Sequence, residues 1–199
     1  VEGEATYVAN YASTLNRYVI TFVDEDDPTI LQRDTLDYGT MPGFRGTNPA
    51  KASTAQYTYS FSGWSPTIEQ VSGNATYTAT FASTLNRYVV TFVDEDGSTI
   101  LQRDTLDYGT MPSIRGNNPT KPSTAQYSYT FSGWSPSIVS VEGEATYVAN
   151  YASTLNKYVV TFVDEDGSTV LQRDTLNYGT MPSFRGTNPA KQSTAQYSY

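Results

Sequence analysis

The residues able to do chemistry in this chain are few. They are the carboxylate triplets Asp24-Glu25-Asp26, Asp94-Glu95-Asp96 and Asp164-Glu165-Asp166, the lysines Lys51, Lys121 and Lys191, and the tryptophans Trp64 and Trp134. Each set recurs at a spacing of 70 residues. Adjacent carboxylates suit a hard cation, but the twelve-residue ligand pattern of an EF-hand does not follow Asp94, and strand-like residues begin at once. A solvated hairpin tip is the expectation, its charges keeping a sheet edge from pairing with strange chains. Glycoside hydrolysis needs two acids across a cleft, one with a raised pKa. Outside the triplet, the first copy carries only Asp34 and Asp37 in a strand region, and both read as exposed.

Other reactive constellations are missing. The chain has no Cys and no His, which removes thiol and imidazole chemistry, disulfides and most transition-metal sites. Ser and Thr are plentiful, but without His the acyl-transfer triad cannot form, and no Ser-x-x-Lys run replaces it. A Lys–Asn cross-link would need both residues on neighbouring core strands beside a buried acid, whereas Lys51, Lys121 and Lys191 lie in a Pro-rich loop and read as ordinary exposed lysines. One sequon, Asn74-Ala75-Thr76, has Glu4 and Glu144 in place of its Asn in other copies and reads as chance. These residues predict no catalytic site, no cofactor and no metal. Twenty acidic against twelve basic residues give a net charge of -8, which would repel a phosphate backbone, so nucleic acid is excluded as a partner. No apolar run approaches the roughly 18 residues of a membrane span. No initiator Met or signal peptide heads the chain, so it reads as part of something longer.

The elements that position these residues follow from the repeat. Ala5, Ala75 and Ala145 each open an Ala-Thr-Tyr run, and residues 17–86 and 87–156 are identical at about three quarters of positions. The 199 residues divide into 1–16, the last strand and linker of a preceding repeat; 17–86 and 87–156, two complete repeats; and 157–199, a partial repeat lacking its last strand. Seventy residues suit a very small domain better than a solenoid unit, giving beads on a string. The 17 Tyr, 8 Phe and abundant Thr favour strands. Alternation places strand one at residues 18–23 and strand two at 30–38, with a hairpin between them. At Asp96-Gly97-Ser98 that turn can use glycine at positive φ, and Asp27-Pro28 gives the first copy a different geometry. Residues 40–56 are broken by Pro and Gly and leave at most one helical turn. Strand three puts Tyr57, Tyr59 and Phe61 on one face before Gly63-Trp64-Ser65-Pro66 breaks it. Strand four is 75–81. Five residues, 82–86, then link to the next copy, and Leu15, Leu85 and Leu155 at equivalent positions either pack between repeats or cap their own repeat.

The blocks Tyr88-Val-Val-Thr-Phe-Val-Asp-Glu-Asp-Gly-Ser-Thr-Ile-Leu, Tyr108-Gly109, Asn118-Pro-Thr-Lys121, Tyr129-Thr-Phe-Ser-Gly-Trp134 and Ala145-Thr-Tyr147 resemble, in order and spacing, the Listeria-Bacteroides repeat, the internalin B-repeat-like family. The resemblance covers the whole chain. It implies small β-grasp modules strung along bacterial surface and secreted proteins, and hence an extracellular stalk or adhesin segment. Ala55-Gln-Tyr-Thr-Tyr59 departs from the family's more usual Gly-Tyr entry to strand three, so the β-grasp helix is expected to be short or absent.

The fold expected is thus mostly β, a tandem array of four-stranded β-grasp-like repeats. The function expected is a non-catalytic extracellular spacer, stalk or filament-forming segment. The alternative is a multivalent glycan- or protein-binding module in which Trp64 and Trp134 stack on the ligand and repetition supplies avidity. The partners expected are neighbouring repeats and a host or cell-surface protein or glycan. For the two partial repeats the favoured expectation is that they are parts of a longer continuous chain; the alternative is head-to-tail self-assembly, with strand four of one chain completing the last repeat of the next.

Overall fold

The computed structural model describes residues 2–26 and 29–198. The Asp27-Pro28 turn lies outside them. The chain divides into two compact units, Val1–Arg87 and Tyr88–Tyr199. Among the described residues there is no helix, and the fold is all β, in two four-stranded sheets and one two-stranded sheet.

In the first unit, β1 (Arg17–Val23), β2 (Ile30–Asp37), β3 (Tyr57–Ser65) and β4 (Ala75–Leu85) form a sheet in the order β2-β1-β4-β3. The hairpin β1–β2 and the pair β3–β4 are antiparallel, while the central strands β1 and β4 run parallel, with Ile20 opposite Ala75 and Val23 opposite Thr78. That is β-grasp order, with an irregular segment where a crossover helix would lie. Alternation along β1 and β4 sends Ile20, Phe22 and Tyr77 to one face, where they bury with Val71. Tyr18, Leu36, Phe44, Trp64 and Ile68 close over this cluster. Residues 39–56 and 66–74 cover the face without regular structure, and two backbone bonds join them: Gly39 N donates to Val71 O and Val71 N to Thr40 O, at 2.8 and 2.9 Å. Pairing of this kind satisfies backbone groups that a helix would otherwise have satisfied internally.

The second unit repeats the plan with β5 (Arg87–Val93), β6 (Ile100–Asp107), β7 (Tyr127–Ser135) and β8 (Ala145–Leu155), in the order β6-β5-β8-β7. Its core is Val90, Phe92, Val141 and Tyr147. It also contains β9 (Lys157–Val163) and β10 (Val170–Asn177), an antiparallel pair.

Four expectations need correction. Strand three does not stop at Gly63; it continues to Ser65 through a bulge at Ser62, where the register against β4 shifts. Strand four does not stop at Phe81 but runs to Leu85, because Tyr57, Thr58, Tyr59 and Ser60 offer it a partner along that whole length. The five-residue linker therefore shrinks to one residue, Asn86, between β4 and β5. Residues 2–16 form no strand and residues 157–198 form two strands rather than three. In the complete repeats strand four pairs with strands one and three, a pairing that neither segment makes among the described residues.

Candidate functional site

Two polar clusters organise each repeat. The first grows from the inner face of β2. Its burial alternates so that Gln32, Asp34 and Leu36 point inward. The Gln32 amide donates to Asp34 Oδ2 (2.6 Å) and to Gly43 O (2.9 Å), and its carbonyl accepts from Arg45 N (2.7 Å). Arg45 Nη2 donates to Asp34 Oδ1 at 2.6 Å. The guanidinium and then the Gln32 amide hold the Asp34 carboxyl below the ordinary carboxylate range, and Asp34 raises Arg45 in return. In the second repeat Gln102 is buried at 7% exposure and makes the same three bonds, to Asp104, Ser113 and Arg115. In the third copy Gln172, Asp174, Ser183 and Arg185 recreate the cluster. Asp34 is thus not the exposed residue its strand position suggested: its side chain is 17% exposed, and it braces the irregular segment against the sheet.

The second cluster joins the β1–β2 hairpin tip to the Pro-rich loop. Lys51 Nζ sits 2.9 Å from both Glu25 and Asp26, over the rings of Tyr59 and Phe81. Lys121 Nζ lies 2.5 Å from Glu95 and 4.2 Å from the Tyr129 ring centroid, a cation–π arrangement. Lys191 pairs with Glu165 at 2.7 Å. The lysines expected to be ordinary exposed residues are clasps; Lys51 keeps only 23% of its side-chain exposure. The acidic tip is likewise engaged. The Tyr151 hydroxyl donates to Asp94 at 2.8 Å, and burial followed by that bond pushes its pKa up to about 12. Asp96 accepts from the amides of Ser98 and Thr99 and from the Thr99 hydroxyl, which together lower its pKa to about 2, and Gly97 takes φ +70° within that turn.

This arrangement does not set up a lysine nucleophile. A nucleophilic amine must be neutral, yet hydrogen bonds to Asp26 and Glu25 raise Lys51 well above an ordinary lysine. The recess of about 430 Å³ beside residues 66–75 holds a single carboxylate, Glu69, so the paired acids of glycoside hydrolysis are not assembled there. Among the described residues no group of three or more acidic side chains could hold a metal ion, and no helix is long and apolar enough to cross a membrane.

Trp64 is half-buried among Phe22, Phe44 and Phe61, with ring centroids 4.8, 4.9 and 5.5 Å away. Trp134 packs likewise on Phe92 and Phe131. Leu85 ends β4 opposite Tyr57, and Leu155 ends β8 opposite Tyr127. Leu85 is partly exposed, Leu155 half-buried and Leu15 well exposed. In the sequon, Asn74 Oδ1 accepts from Val19 N at 2.8 Å.

Sequence reasoning missed the glutamines and asparagines. Asn86 Nδ2 donates to Thr54 O and Ala55 O, and Asn86 N to Gln56 O, fixing the one residue between β4 and β5. Asn156 repeats these bonds to residues 124–126, and the Tyr158 hydroxyl reaches Ala125 O at 2.6 Å. The signal present was the unbroken recurrence of Gln32 and Arg45 thirteen apart, and of Asn86, in every copy. Near-identity of the copies hides it.

No protein-family model and no curated protein matches the chain. Among solved structures, it is similar to the Streptococcal High Identity Repeats in Tandem (SHIRT) domains 3-4 from a cell surface protein. The two are 17% identical, with a TM-score of 0.36, and the match covers 70% of this chain and 99% of that one.

Proposed function

We propose that this chain is a non-catalytic extracellular repeat segment, a spacer or stalk that sets the distance between other parts of a bacterial surface protein or adhesin. The observation that carries the reading is the use made of its functional groups. In each complete repeat the tryptophan, the Pro-rich-loop lysine and the Gln–Asp–Arg group bind the repeat's own loops to its own sheet. A spacer has that requirement and little other. The single residue between β4 and β5, held on three backbone carbonyls, also suits a series of closely joined modules. The surface location rests on the residue blocks that resemble the internalin B-repeat-like family.

The second reading, a weak glycan- or protein-binding module made effective by repetition, is favoured by exposed Tyr38 and Met41 beside the shallow recess at residues 68–72. Acrylamide quenching of Trp64 and Trp134 fluorescence separates the two. The spacer reading expects partial shielding that is unchanged by glycans or candidate protein ligands. Full accessibility together with a saturable response to a glycan would overturn it in favour of the binding module.

A further inference from the structure

The two complete repeats are near-copies, and their differences are not spread evenly. Residues 30–42 and 100–112 are identical at all thirteen positions, although Ile30, Leu31, Tyr38 and Met41 are exposed. Residues 66–74 and 136–144 differ at five of nine positions. Those five, Thr67, Glu69, Gln70, Ser72 and Asn74, are exposed, while Ile68, Val71 and Gly73 between them are unchanged and lie further in. Surface drift alone would have touched both exposed stretches. The varied loop sits on a constant frame: Val71 holds it to Gly39 and Thr40, and Val141 holds its counterpart to Gly109 and Thr110 by the same two backbone bonds. A fixed scaffold that positions a varied loop is the usual setting for a binding site.

In the first repeat, residues 69–72 wall two adjoining recesses of about 430 and 480 Å³. Tyr38 and Met41 line the larger one, and Tyr38 is 55% exposed where Tyr108 is half-buried. Among the described residues, none bonds to the side chains of Glu69, Gln70 or Ser72. This separates them from Gln32, Asp34 and Lys51, whose polar groups are engaged within the repeat. No Lys or Arg lines either recess, and Glu69 is the one carboxylate there.

A phosphate, sulfate or carboxylate ligand would meet no cation in these recesses and one repelling charge. A neutral sugar meets matching groups. The C–H face of a pyranose packs on an aromatic ring, and its hydroxyls donate to a carboxylate and exchange hydrogen bonds in both directions with an amide. The second repeat has Val139, Ser140 and Glu142 where the first has Glu69, Gln70 and Ser72, and Val139 is 61% exposed. We propose that the first repeat binds a neutral oligosaccharide against Tyr38, with Glu69 and Gln70 bonding its hydroxyls, and that the second repeat does not. This inference deepens the binding-module reading, on whose recess it rests, but places the contact away from the tryptophans.

The test titrates the 199-residue chain with lactose, cellobiose, maltose and diacetylchitobiose by saturation-transfer NMR, with hyaluronan and chondroitin sulfate fragments as acidic controls. At least one neutral sugar is expected to bind and the acidic fragments are not. Glu69→Val with Gln70→Ser gives the first repeat residues that the second already carries. It should weaken binding by about tenfold or more with an unchanged thermal midpoint. The reciprocal exchange, Val139→Glu, Ser140→Gln, Glu142→Ser and Glu144→Asn, should double the sugar bound per chain. Failure of all four neutral sugars to bind, or a preference for the acidic fragments, overturns the proposal. Binding that survives Glu69→Val with Gln70→Ser overturns this site and leaves the binding-module reading standing. That reading falls as well when neither sugars nor candidate protein ligands bind the chain.

Discussion

The rings of Phe61 and Trp64 meet edge to face, 5.5 Å apart at 68°, on the same side of β3. Residues three apart in a regular strand point to opposite faces. The extra residue at Ser62, opposite the register shift against β4, reverses the alternation and turns Trp64 into the core.

The bulge needs Gly63. Its φ is +142°, a region L side chains rarely adopt, and an added Cβ would meet nothing closer than Thr80 Oγ1 at 4.0 Å. The penalty for a side chain is therefore conformational rather than steric. Gly63→Ala is expected to destabilise the first repeat by about 1–3 kcal/mol, read as a lower urea midpoint and a red-shifted Trp64 emission. A neutral result would mean that the bulge tolerates a different backbone geometry.

Gln102 secures the loop that carries Ile114 over the core. Gln102→Leu leaves the Arg115 amide and the Ser113 carbonyl without their partner, a loss of about 1–3 kcal/mol for part-buried groups. Proteolysis near residues 111–117 should quicken in parallel with the fall in stability. Gln102→Glu should be worse than Leu, because it directs a second carboxylate at Asp104 and at a carbonyl.

Acid should loosen the second repeat's hairpin through Asp96. Its folded pKa, lowered from 3.8 to about 2 by hydrogen bonds from Thr99 and Ser98, means the unfolded chain takes up the proton first as pH falls. The stabilisation is fully present above the unfolded value and is lost as pH drops from about 4 towards 2. Thermal midpoints should decline across that window, and Asp96→Asn should remove part of the decline while lowering stability at neutral pH. Equal pH slopes for the two proteins would exclude Asp96 as the source.

The lysine clasps should remain non-covalent. Because Lys51 and Lys121 are held protonated by their carboxylate partners, neither attacks a side-chain carbonyl. The intact mass of the chain should equal the sum of its residue masses plus one water for the termini, with no further loss of water or ammonia. Lys51→Met keeps the contact with Tyr59 and removes the charge; the salt dependence of its stability should be weaker than that of the parent, by the part due to the pairs with Glu25 and Asp26. A mass deficit abolished by Lys51→Met would reverse this view.

Much of the fold was legible because strands one, three and four alternate cleanly, and tertiary packing follows that alternation at Ile20, Phe22 and Tyr77. The rest was set by partners. Ser83-Thr84-Leu85 has no period of its own and is a strand because Tyr57, Thr58 and Tyr59 lie opposite. On β2, a hydrophobic count favours Ile30 and Leu31, yet both are exposed, and the inward places go to Gln32 and Asp34. Their hydrogen bonds to residues 43–45 justify burying polar groups, and no sequence period announces a bond thirteen residues away. The candidate site was legible only as residue types: the lysines and acidic triplets stood out, but that they close on each other depends on a loop whose path no local signal fixes.

The parallel pairing of β1 with β4 has a mechanical consequence. These are the first and last strands of a repeat, so the chain enters at the start of one and leaves at the end of its neighbour. Tension along the array pulls the two adjacent strands in opposite directions along their own axes. The hydrogen bonds from Ile20–Ala75 to Val23–Thr78 are then sheared together rather than opened one by one. Forced unfolding is governed by the unfolding rate, and single-molecule extension should show tall, evenly spaced rupture peaks. Weak, gradual extension would show that the central pair does not carry the force.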